Sequence, residues 1–177
     1  MGIFVVHEHH VKRLHWDFRL EIGGVLKSWA VPKGPSLDPA RRRLAIRVPD
    51  HDLEHGDYEG IIPEGMYGAG PVLIWDKGTF EIPGEKPAAS GLREGTLTFE
   101  LHGKILRGAF TLIRFGTRGS AESWLLIKKA DTHARRGWLT PVLLTPARRK
   151  KLKETRPPSL PGPSTETYRP GIRSRPS

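Results

Sequence analysis

The sequence has no cysteine and no long apolar run, and each absence excludes a class of protein. Without cysteine there can be no disulfide, no thiolate nucleophile and no cysteine-based zinc site. No apolar run approaches the roughly 18 residues of a membrane span, so we expect no membrane partner. The N-terminus MGIFVVHEHH lacks the features of a secretory signal. A cysteine-free chain of this kind fits the reducing cytoplasm.

Helical periodicity is also scarce, because apolar and polar residues alternate over much of the chain. WDFRLEI alternates in this way, Gly23-Gly24 predicts a tight turn, and VLKSWAV follows as the returning strand. Further strands are predicted in RLAIRV, PVLIWDKGTFEI, TLTFELHGKILRGAFTLIRF and SWLLIKK, with turns at 76–78 and 102–103. Helical turns are predicted only near 38–41 and 146–152. This pattern predicts a mainly β fold, a closed or nearly closed β-barrel with short flanking helices.

Positive charge is in excess, with a formal net charge of +10. Residues 146–177 carry nine Lys or Arg against two Glu, and they are rich in proline and serine. We therefore predict a barrel domain over residues 1–145 and a basic, proline-rich, disordered tail over 146–177. A basic chain favours a polyanionic partner such as nucleic acid. The tail fits an electrostatic arm on nucleic acid and a solubilising segment equally well.

The stretch HEHHVKRLHWDFRLE (residues 7–21) holds four of the eight histidines. Alternation along a strand places His15, Asp17 and Arg19 on one face, with Cα atoms of successive members about 6.6 Å apart. Two such side chains can converge on one ion, and Arg19 is near enough to hold an anion bound to that ion. His7 and His9 alternate on the preceding strand, and either could supply a third ligand.

Two imidazoles and a carboxylate form a mixed nitrogen and oxygen site. Such a site suits Mn²⁺, Fe²⁺ or Zn²⁺ better than Ca²⁺. The ordinary alternative is that these are hydrogen-bonded strand histidines, but four in nine positions, in phase with Asp, Arg and Glu, weigh against it. His10 is out of phase with His9, and His102 and His133 receive no role.

A second cluster covers residues 41–70. A strand delivers Arg43 at its start and His51 just past its end, and the acidic residues between 50 and 57 would raise the pKa values of His51 and His55 if they lie close. For this stretch taken alone, a solvated acidic loop is the favoured explanation. GMYGAG (65–70) predicts a tight turn with Tyr67 facing a cleft, and Lys33 ends a strand where it could meet a phosphate.

Together these motifs resemble a known family, the 3′-phosphoesterase domain of bacterial ligase D and its stand-alone relatives. The resemblance covers most of residues 5–130 and includes HxxxxxHxDFRLE (from His9 to Glu21), LKSWAVPKGPS, RLA…DH, YEG…IPxGxYGAG and WLLIKKAD. It implies a β-barrel and Mn²⁺-dependent hydrolysis at the 3′ ends of nucleic acid. A terminal 3′-phosphate, and in many members a 3′-ribonucleoside, would be removed to leave a 3′-OH.

The resemblance also implies roles for individual residues. The metal ligands would be His9, His15 and Asp17. The catalytic and phosphate-binding residues would be Arg19, Arg43 and His51, with Lys33, Glu21 and Tyr67 nearby.

Two positions depart from the family pattern. His7 stands where Gln is common and could add a metal contact. His55 stands where many members have Tyr beside the phosphate pocket, which leaves the balance between phosphodiesterase and phosphomonoesterase activity open.

The sequence thus predicts a Mn²⁺-dependent 3′-end-healing phosphoesterase of DNA repair, with other divalent transition metals as alternatives. The implied partners are nucleic-acid 3′ ends and the DNA ligase, Ku or polymerase of end joining, in the cytoplasm near the nucleoid. Two other functions fit parts of the sequence. His-x-Asp with a distant His is also the facial triad of non-haem iron oxygenases, and the basic tail fits a non-catalytic nucleic-acid-binding module.

Overall fold

A computed structural model of the protein describes residues 1–158. The strands are β1 Gly2–His10, β2 Leu14–Ile22, β3 Val25–Val31, β4 Arg43–His51, β5 Gly60–Ile62, β6 Gly70–Glu81, β7 Thr96–His102, β8 Arg107–Arg118 and β9 Ala121–Lys128. The helices are α1 Ala88–Glu94, α2 Pro146–Lys151 and a short 3₁₀ helix, Leu53–Asp57.

Within the described residues, eight of the nine strands join into a closed ring. The order is β1-β2-β3-β4-β9-β8-β7-β6, and β6 pairs back with β1. All these pairs are antiparallel, and the short β5 adds to the first residues of β6. Ring closure leaves few unpaired strand edges. The prediction of a mainly β protein with a closed sheet and short helices is confirmed.

The predicted alternation along β2 is observed. Trp16, Phe18 and Leu20 point into the core and are at most 5% exposed. The Phe18 ring stacks on Phe99 at 5.7 Å and contacts Trp29 at 6.4 Å between centroids. Each such ring, when fully buried, contributes roughly 2 to 3 kcal/mol relative to an exposed one.

The polar face of β2 is buried as well, although alternation alone suggests a solvated face. Asp17 is 7% exposed and Arg19 is 3% exposed. The 3₁₀ helix and the glycine-rich loop cover this face, because His55 lies beside Arg19 and the carbonyl of Gly68 contacts His9. The strand therefore presents its charged residues to a layer of covering side chains, and this covered cluster is called the pocket below.

The predicted turns have mixed outcomes. Gly23-Gly24 joins β2 to β3 with positive φ angles of 66° and 81°, and the turn at 102–103 is also observed. The turn predicted at 76–78 is wrong, because β6 continues through it. The Asp76 carboxylate accepts backbone N–H groups from residues 104–106, and a Cβ at Gly78 would lie 2.1 Å from the carbonyl oxygen of His102. Asp76 and Gly78 thus both allow the segment around residues 102–106 to lie close to β6.

The helical predictions also differ in outcome. Residues 38–41 form a single turn, in which the N–H of Arg41 donates to the carbonyl of Asp38 at 3.0 Å. α2 lies where a helical turn is predicted at 146–152, and the side chain of Thr145 caps it by accepting from the N–H of Arg148. α1 is not among the predicted elements; it ends at Gly95, whose φ is 86°.

The segment after β9 runs back across the ring. The buried Glu8 carboxylate accepts the N–H groups of Leu143 and Leu144 at 2.6 and 2.9 Å, and the indole of Trp75 donates to the carbonyl of Pro141. Residues 146–158, predicted to belong to a disordered tail, form α2 and contacts with β5. Over this range the backbone finds hydrogen-bond partners on the ring. Residues 159–177 lie outside the described range.

None of the helices within residues 1–158 is both long and apolar enough to cross a membrane.

An ion pair between a buried lysine and an exposed aspartate closes the end of β9. The Lys128 side chain has no exposed surface, and its ammonium donates to the Asp131 carboxylate at 2.6 Å and to the carbonyls of Ala109 and Lys129. Burial alone would raise the pKa of Asp131, but the N–H of Ala109, the Lys128 ammonium and the N–H of His133 together lower it to about 2.

We expect Asp131→Asn to lower the free energy of unfolding by about 2 kcal/mol, because the buried ammonium loses its carboxylate partner. Glu85→Gln removes the same charge from an exposed position and serves as the control. Urea denaturation of the two variants measures the difference. Equal stability of the two would contradict this role for the pair.

Candidate metal and phosphate site

The register of β1 on β2 brings three potential metal ligands together. His9 is directly opposite His15, and Asp17 lies two residues further along β2. The Nδ1 of His9 is 3.3 Å from Oδ2 of Asp17, and the Nε2 of His15 is 3.2 Å from Oδ1. One ligand atom from each residue lies within 4.8 Å of the other two. Donors about 2.1 Å from a shared ion are about 3 to 3.5 Å apart, so this spacing fits one cation.

Backbone carbonyls orient both imidazoles for such a cation. The Nε2 of His9 is 2.7 Å from the carbonyl oxygen of Gly68, and the Nδ1 of His15 is 3.4 Å from that of Arg13. A carbonyl only accepts, so it favours the tautomer in which that nitrogen carries the proton. The other nitrogen of each ring faces Asp17 and can bind a cation when it carries no proton. An outer hydrogen bond of this kind is the usual support of a metal-binding histidine.

The charge balance of the trio depends on Asp17. Burial disfavours the charged carboxylate, but His15 and Arg19 outweigh burial and hold the pKa of Asp17 well below its usual range. Burial would lower the pKa of His15, but the adjacent Asp17 carboxylate raises it overall. Asp17 is therefore ionised at neutral pH and available to a cation.

Arg19 continues the site along β2. Its Nε donates to Nδ1 of His7 at 3.1 Å, and its Nη1 donates to Oγ of Ser28 at 2.9 Å. Its Nη2 lies 3.4 Å from both Oδ2 of Asp17 and Nε2 of His55. All three guanidinium nitrogens thus have partners, which fixes the plane of the side chain.

His7 lies behind Arg19 and is fully buried. Its Nδ1 accepts from Arg19, so its Nε2 carries the proton and donates to the carbonyl of Tyr58 at 3.0 Å. Burial, followed by the Arg19 charge, lowers the pKa of His7 to about 3. Because both ring nitrogens are occupied, this geometry favours orientation of Arg19 by His7 over a metal contact.

His51 and His55 complete the far side of the pocket. Their rings are 3.9 Å apart between centroids, and the His55 ring also stacks on Tyr58. Burial and the nearby Arg19 charge lower the pKa of His51 to about 2 and lower the pKa of His55 as well. Both imidazoles are therefore neutral at physiological pH.

The expectation of raised pKa values for these two histidines is wrong. The acidic residues around them in sequence form salt bridges elsewhere: Asp50 binds Lys27 and Arg47, and Asp57 binds Lys77. These carboxylates are close to the histidines in sequence, but in the folded chain they pair with lysine and arginine side chains.

Two further predicted residues lie close to Arg19 or His51 in the sheet. Tyr67 is 51% exposed, and its hydroxyl is near enough to influence the pKa of Arg19. Glu21 pairs with Leu26, the strand partner of His51, and its carboxylate accepts the N–H of Ile3 at 2.9 Å. Tyr67 thus lies within electrostatic reach of Arg19, whereas Glu21 holds the start of β1.

Arg43 and Lys33 lie apart from His51. Arg43 begins β4 and His51 ends it, so their Cα atoms are about 26 Å apart at the usual rise of an extended strand. The charged groups that influence Arg43 are Arg41 and Asp38. Lys33 is exposed in the turn after β3. The structure does not bring Arg43 and His51 onto one phosphate, because β4 spans the whole interval between them.

Three residues of the site escape sequence reasoning: Ser28, Tyr58 and Gly68. Ser28 could have been found, because pairing across Gly23-Gly24 puts it opposite Arg19. Gly68 and Tyr58 contact the histidines through backbone carbonyls. Every residue has such a carbonyl, so the residue type does not reveal this role.

A family model described as the DNA Ligase D 3′-phosphoesterase domain matches residues 7–114, which include every residue of this pocket. The chain belongs to this family. Family membership implies a phosphoesterase of the hydrolase class.

Similar proteins are full-length end-joining proteins. The chain is 52% identical over 132 residues to the multifunctional non-homologous end joining protein LigD of Pseudomonas aeruginosa, an alignment that covers 75% of this chain and 16% of that protein. It is 45% identical over 122 residues to the LigD of Mycobacterium tuberculosis (69% and 15%), and 41% identical over 150 residues to that of Mycolicibacterium smegmatis (80% and 19%). The chain thus spans less than a fifth of the length of these relatives.

The neutral histidines predict how stability depends on pH. His7, His51 and His55 take up protons in the unfolded chain below about pH 6.5 but stay neutral in the fold, so the unfolded state binds more protons and acid destabilises the fold. As the pH falls from about 7.5 to 5.5, we expect each of these three histidines to lower the free energy of unfolding by about 1.4 kcal/mol. Urea denaturation in the presence of a chelator measures this loss.

His55→Phe should reduce the acid-dependent loss by about one such contribution. His102→Gln removes an exposed histidine and should leave the loss unchanged. An unfolding free energy that stays constant between these pH values would contradict the neutral state of the cluster.

Proposed function

We propose that the protein is a metal-dependent 3′-end-healing phosphoesterase. It would remove a 3′-phosphate, and also a 3′-ribonucleoside, from nucleic-acid ends and leave a 3′-OH. The observation that carries this proposal is the contact between Asp17, which closes the ligand trio, and Arg19, which can neutralise a phosphate next to it. Membership of the 3′-phosphoesterase family supports the same reaction class.

His9, His15 and Asp17 would hold the cation, and Mn²⁺ is the proposed metal. Mixed imidazole and carboxylate donors suit Mn²⁺ and other divalent transition metals. When bound, such a cation would polarise the phosphorus–oxygen bonds as a Lewis acid.

Arg19 would stabilise the negative charge that develops on the phosphoryl oxygens. Its contacts to His7 and Ser28 hold the guanidinium in place before substrate arrives. A donor that is already oriented loses little free energy to reorganisation during the reaction, which is the main source of electrostatic catalysis.

His51 would act on the leaving oxygen. Its Nδ1 is buried and has no hydrogen-bond partner within residues 1–158. A phosphate entering the pocket adds negative charge near the ring and so raises the tendency of His51 to take a proton. In our mechanism His51 takes a proton from solvent as the phosphate binds, water attacks phosphorus in line, and the bond to the 3′ oxygen breaks. His51 gives its proton to that oxygen, while one proton of the attacking water stays on the released phosphate and the other returns to solvent.

Arg43 and Lys33 would contact substrate outside this pocket, because neither touches Arg19 or His51 in the part of the chain that the structure describes. A nucleic-acid strand is long enough to reach them from the site. The names of the relatives include non-homologous end joining. We therefore propose duplex or primer–template 3′ ends as substrates, end-joining ligase, Ku or polymerase as partners, and a location with the cellular DNA.

Asp17→Asn should lower kcat on a primer–template with a 3′-phosphate by on the order of 10³-fold, because the trio loses its anionic ligand. Phosphate release with Mn²⁺, Mg²⁺ or Zn²⁺ measures activity, and calorimetry measures Mn²⁺ affinity. His102→Ala removes a distant imidazole and is the matched control.

Circular dichroism of Asp17→Asn shows whether the fold persists. Normal Mn²⁺-dependent turnover of this variant would disprove the site. Oxygen consumption that requires Fe²⁺, without phosphate release, would favour the oxygenase function.

His7→Leu should lower kcat/KM by roughly 10- to 100-fold, since Arg19 loses the acceptor that fixes its Nε. The affinity for Mn²⁺ should not change, because His7 is assigned no contact to the ion. His7→Gln keeps one acceptor and one donor and should recover most of the activity. A loss of Mn²⁺ affinity in His7→Leu would instead make His7 a metal ligand.

A further inference from the structure

The C-terminal segment 146–156, called here the basic segment, carries six Lys or Arg and one Glu. It lies beyond residues 7–114, the range matched by the family model. We propose that the basic segment binds the phosphate backbone of the nucleic acid whose 3′ end enters the site. This inference rests on the proposed function, and it adds a second substrate-binding surface to it.

Specific hydrogen bonds hold the basic segment against the ring. Arg148 contacts the Glu59 carboxylate at 3.4 Å and donates to the carbonyl of Ile74 at 3.3 Å. Further along, the N–H of Ile61 donates to the carbonyl of Lys153 at 2.9 Å, and the N–H of Thr155 donates to the carbonyl of Ile61 at 3.1 Å. These bonds make residues 153–155 a parallel neighbour of β5.

Tyr58 connects the basic segment to the site. Its hydroxyl donates to the carbonyl of Thr155 at 2.9 Å, and its own carbonyl accepts from His7, which contacts Arg19. Its ring stacks on His55. One residue thus separates the basic segment from the side chains that surround the pocket.

The charge of the basic segment is not neutralised by the fold. Arg149, Lys150, Lys151, Lys153 and Arg156 are exposed, and none forms a salt bridge within the described range 1–158. Two carboxylates that precede β5 already have partners, since Glu59 pairs with Arg148 and Asp57 with Lys77.

A run of like charges held in one place is electrostatically unfavourable unless a polyanion joins it. A polyanion releases its condensed counterions on binding, which supplies the driving force.

The dimensions suit several phosphates. The six residues of α2 extend about 9 Å and an extended 152–156 extends about 16 Å, so the basic segment spans at most about 25 Å. Phosphates along one strand of duplex DNA are spaced about 3.4 Å apart along its axis. Four or more cations over this length can therefore contact separate phosphates.

The test is the salt dependence of binding to duplex DNA with a recessed 3′-phosphate, measured by fluorescence anisotropy in the presence of EDTA. The full chain with Arg149→Gln, Lys150→Gln, Lys151→Gln and Lys153→Gln should bind about 10-fold or more weakly at low salt. The slope of log Kd against log salt should fall by about two to three units.

Two control variants show whether a loss of DNA affinity comes from the position of the removed charges or only from the change in net charge. Lys104→Gln, Arg118→Gln, Lys129→Gln and Arg136→Gln remove the same charge from exposed positions on other elements and should weaken binding less than about threefold. The exchange Arg149→Lys, Lys150→Arg, Lys151→Arg and Lys153→Arg keeps every charge and should preserve the affinity.

Equal losses in the two neutralised variants, or an unchanged salt slope, would overturn the inference. EDTA prevents metal-dependent turnover, so this assay measures binding alone. Its result is therefore independent of whether the protein releases phosphate in the activity assay.

Discussion

The Asp17 carboxylate is almost completely removed from water, and it stays ionised because His15 and Arg19 surround it with positive charge. Every other group of the pocket is arranged around this balance. His9 and His15 turn one nitrogen towards it, and Arg19 touches it on the side of the proposed phosphate site. Burying a carboxylate without these partners would destabilise the fold. The same contacts therefore both stabilise β2 and bring the candidate metal ligands together.

A second layer of neutral histidines complements that charged centre. His7 accepts from Arg19 and His55 lies beside it, so the guanidinium is held by lone pairs that exist only while these rings are unprotonated. The pocket therefore surrounds the Asp17–Arg19 pair with neutral donors and acceptors from these two rings. Such an interior accepts a divalent cation together with a phosphate more readily than either ion alone, because the two added charges compensate each other.

Sequence reasoning was strong for this protein where it relied on period-two alternation. Alternation along WDFRLEI, with the turn at Gly23-Gly24, is sufficient to put Asp17 and Arg19 on one face and Trp16 and Phe18 on the other. It could not show that a loop covers the charged face, since loop placement depends on long-range hydrogen bonds such as that of His9 with Gly68.

It was weaker where it used proximity along the chain. Arg43 and His51 are the first and last residues of β4, so they lie far apart although the sequence suggested a shared site. The acidic residues beside His51 and His55 have partners on other strands. Composition could not reveal the contacts of residues 146–158, because a basic, proline-rich stretch carries no signal for a neighbouring strand that offers free carbonyl and N–H groups.

The closing hydrogen bonds at Glu8 bear on where the minimal folding unit ends. A chain shortened to residue 114 would keep every residue of the pocket but lose β9, which joins β8 to β4. It would also leave the Glu8 carboxylate, between His7 and His9 on β1, without the N–H groups of Leu143 and Leu144. The residues of the pocket thus occupy a shorter stretch of the chain than the scaffold that holds them together, which extends further by β9 and the segment that contacts Glu8.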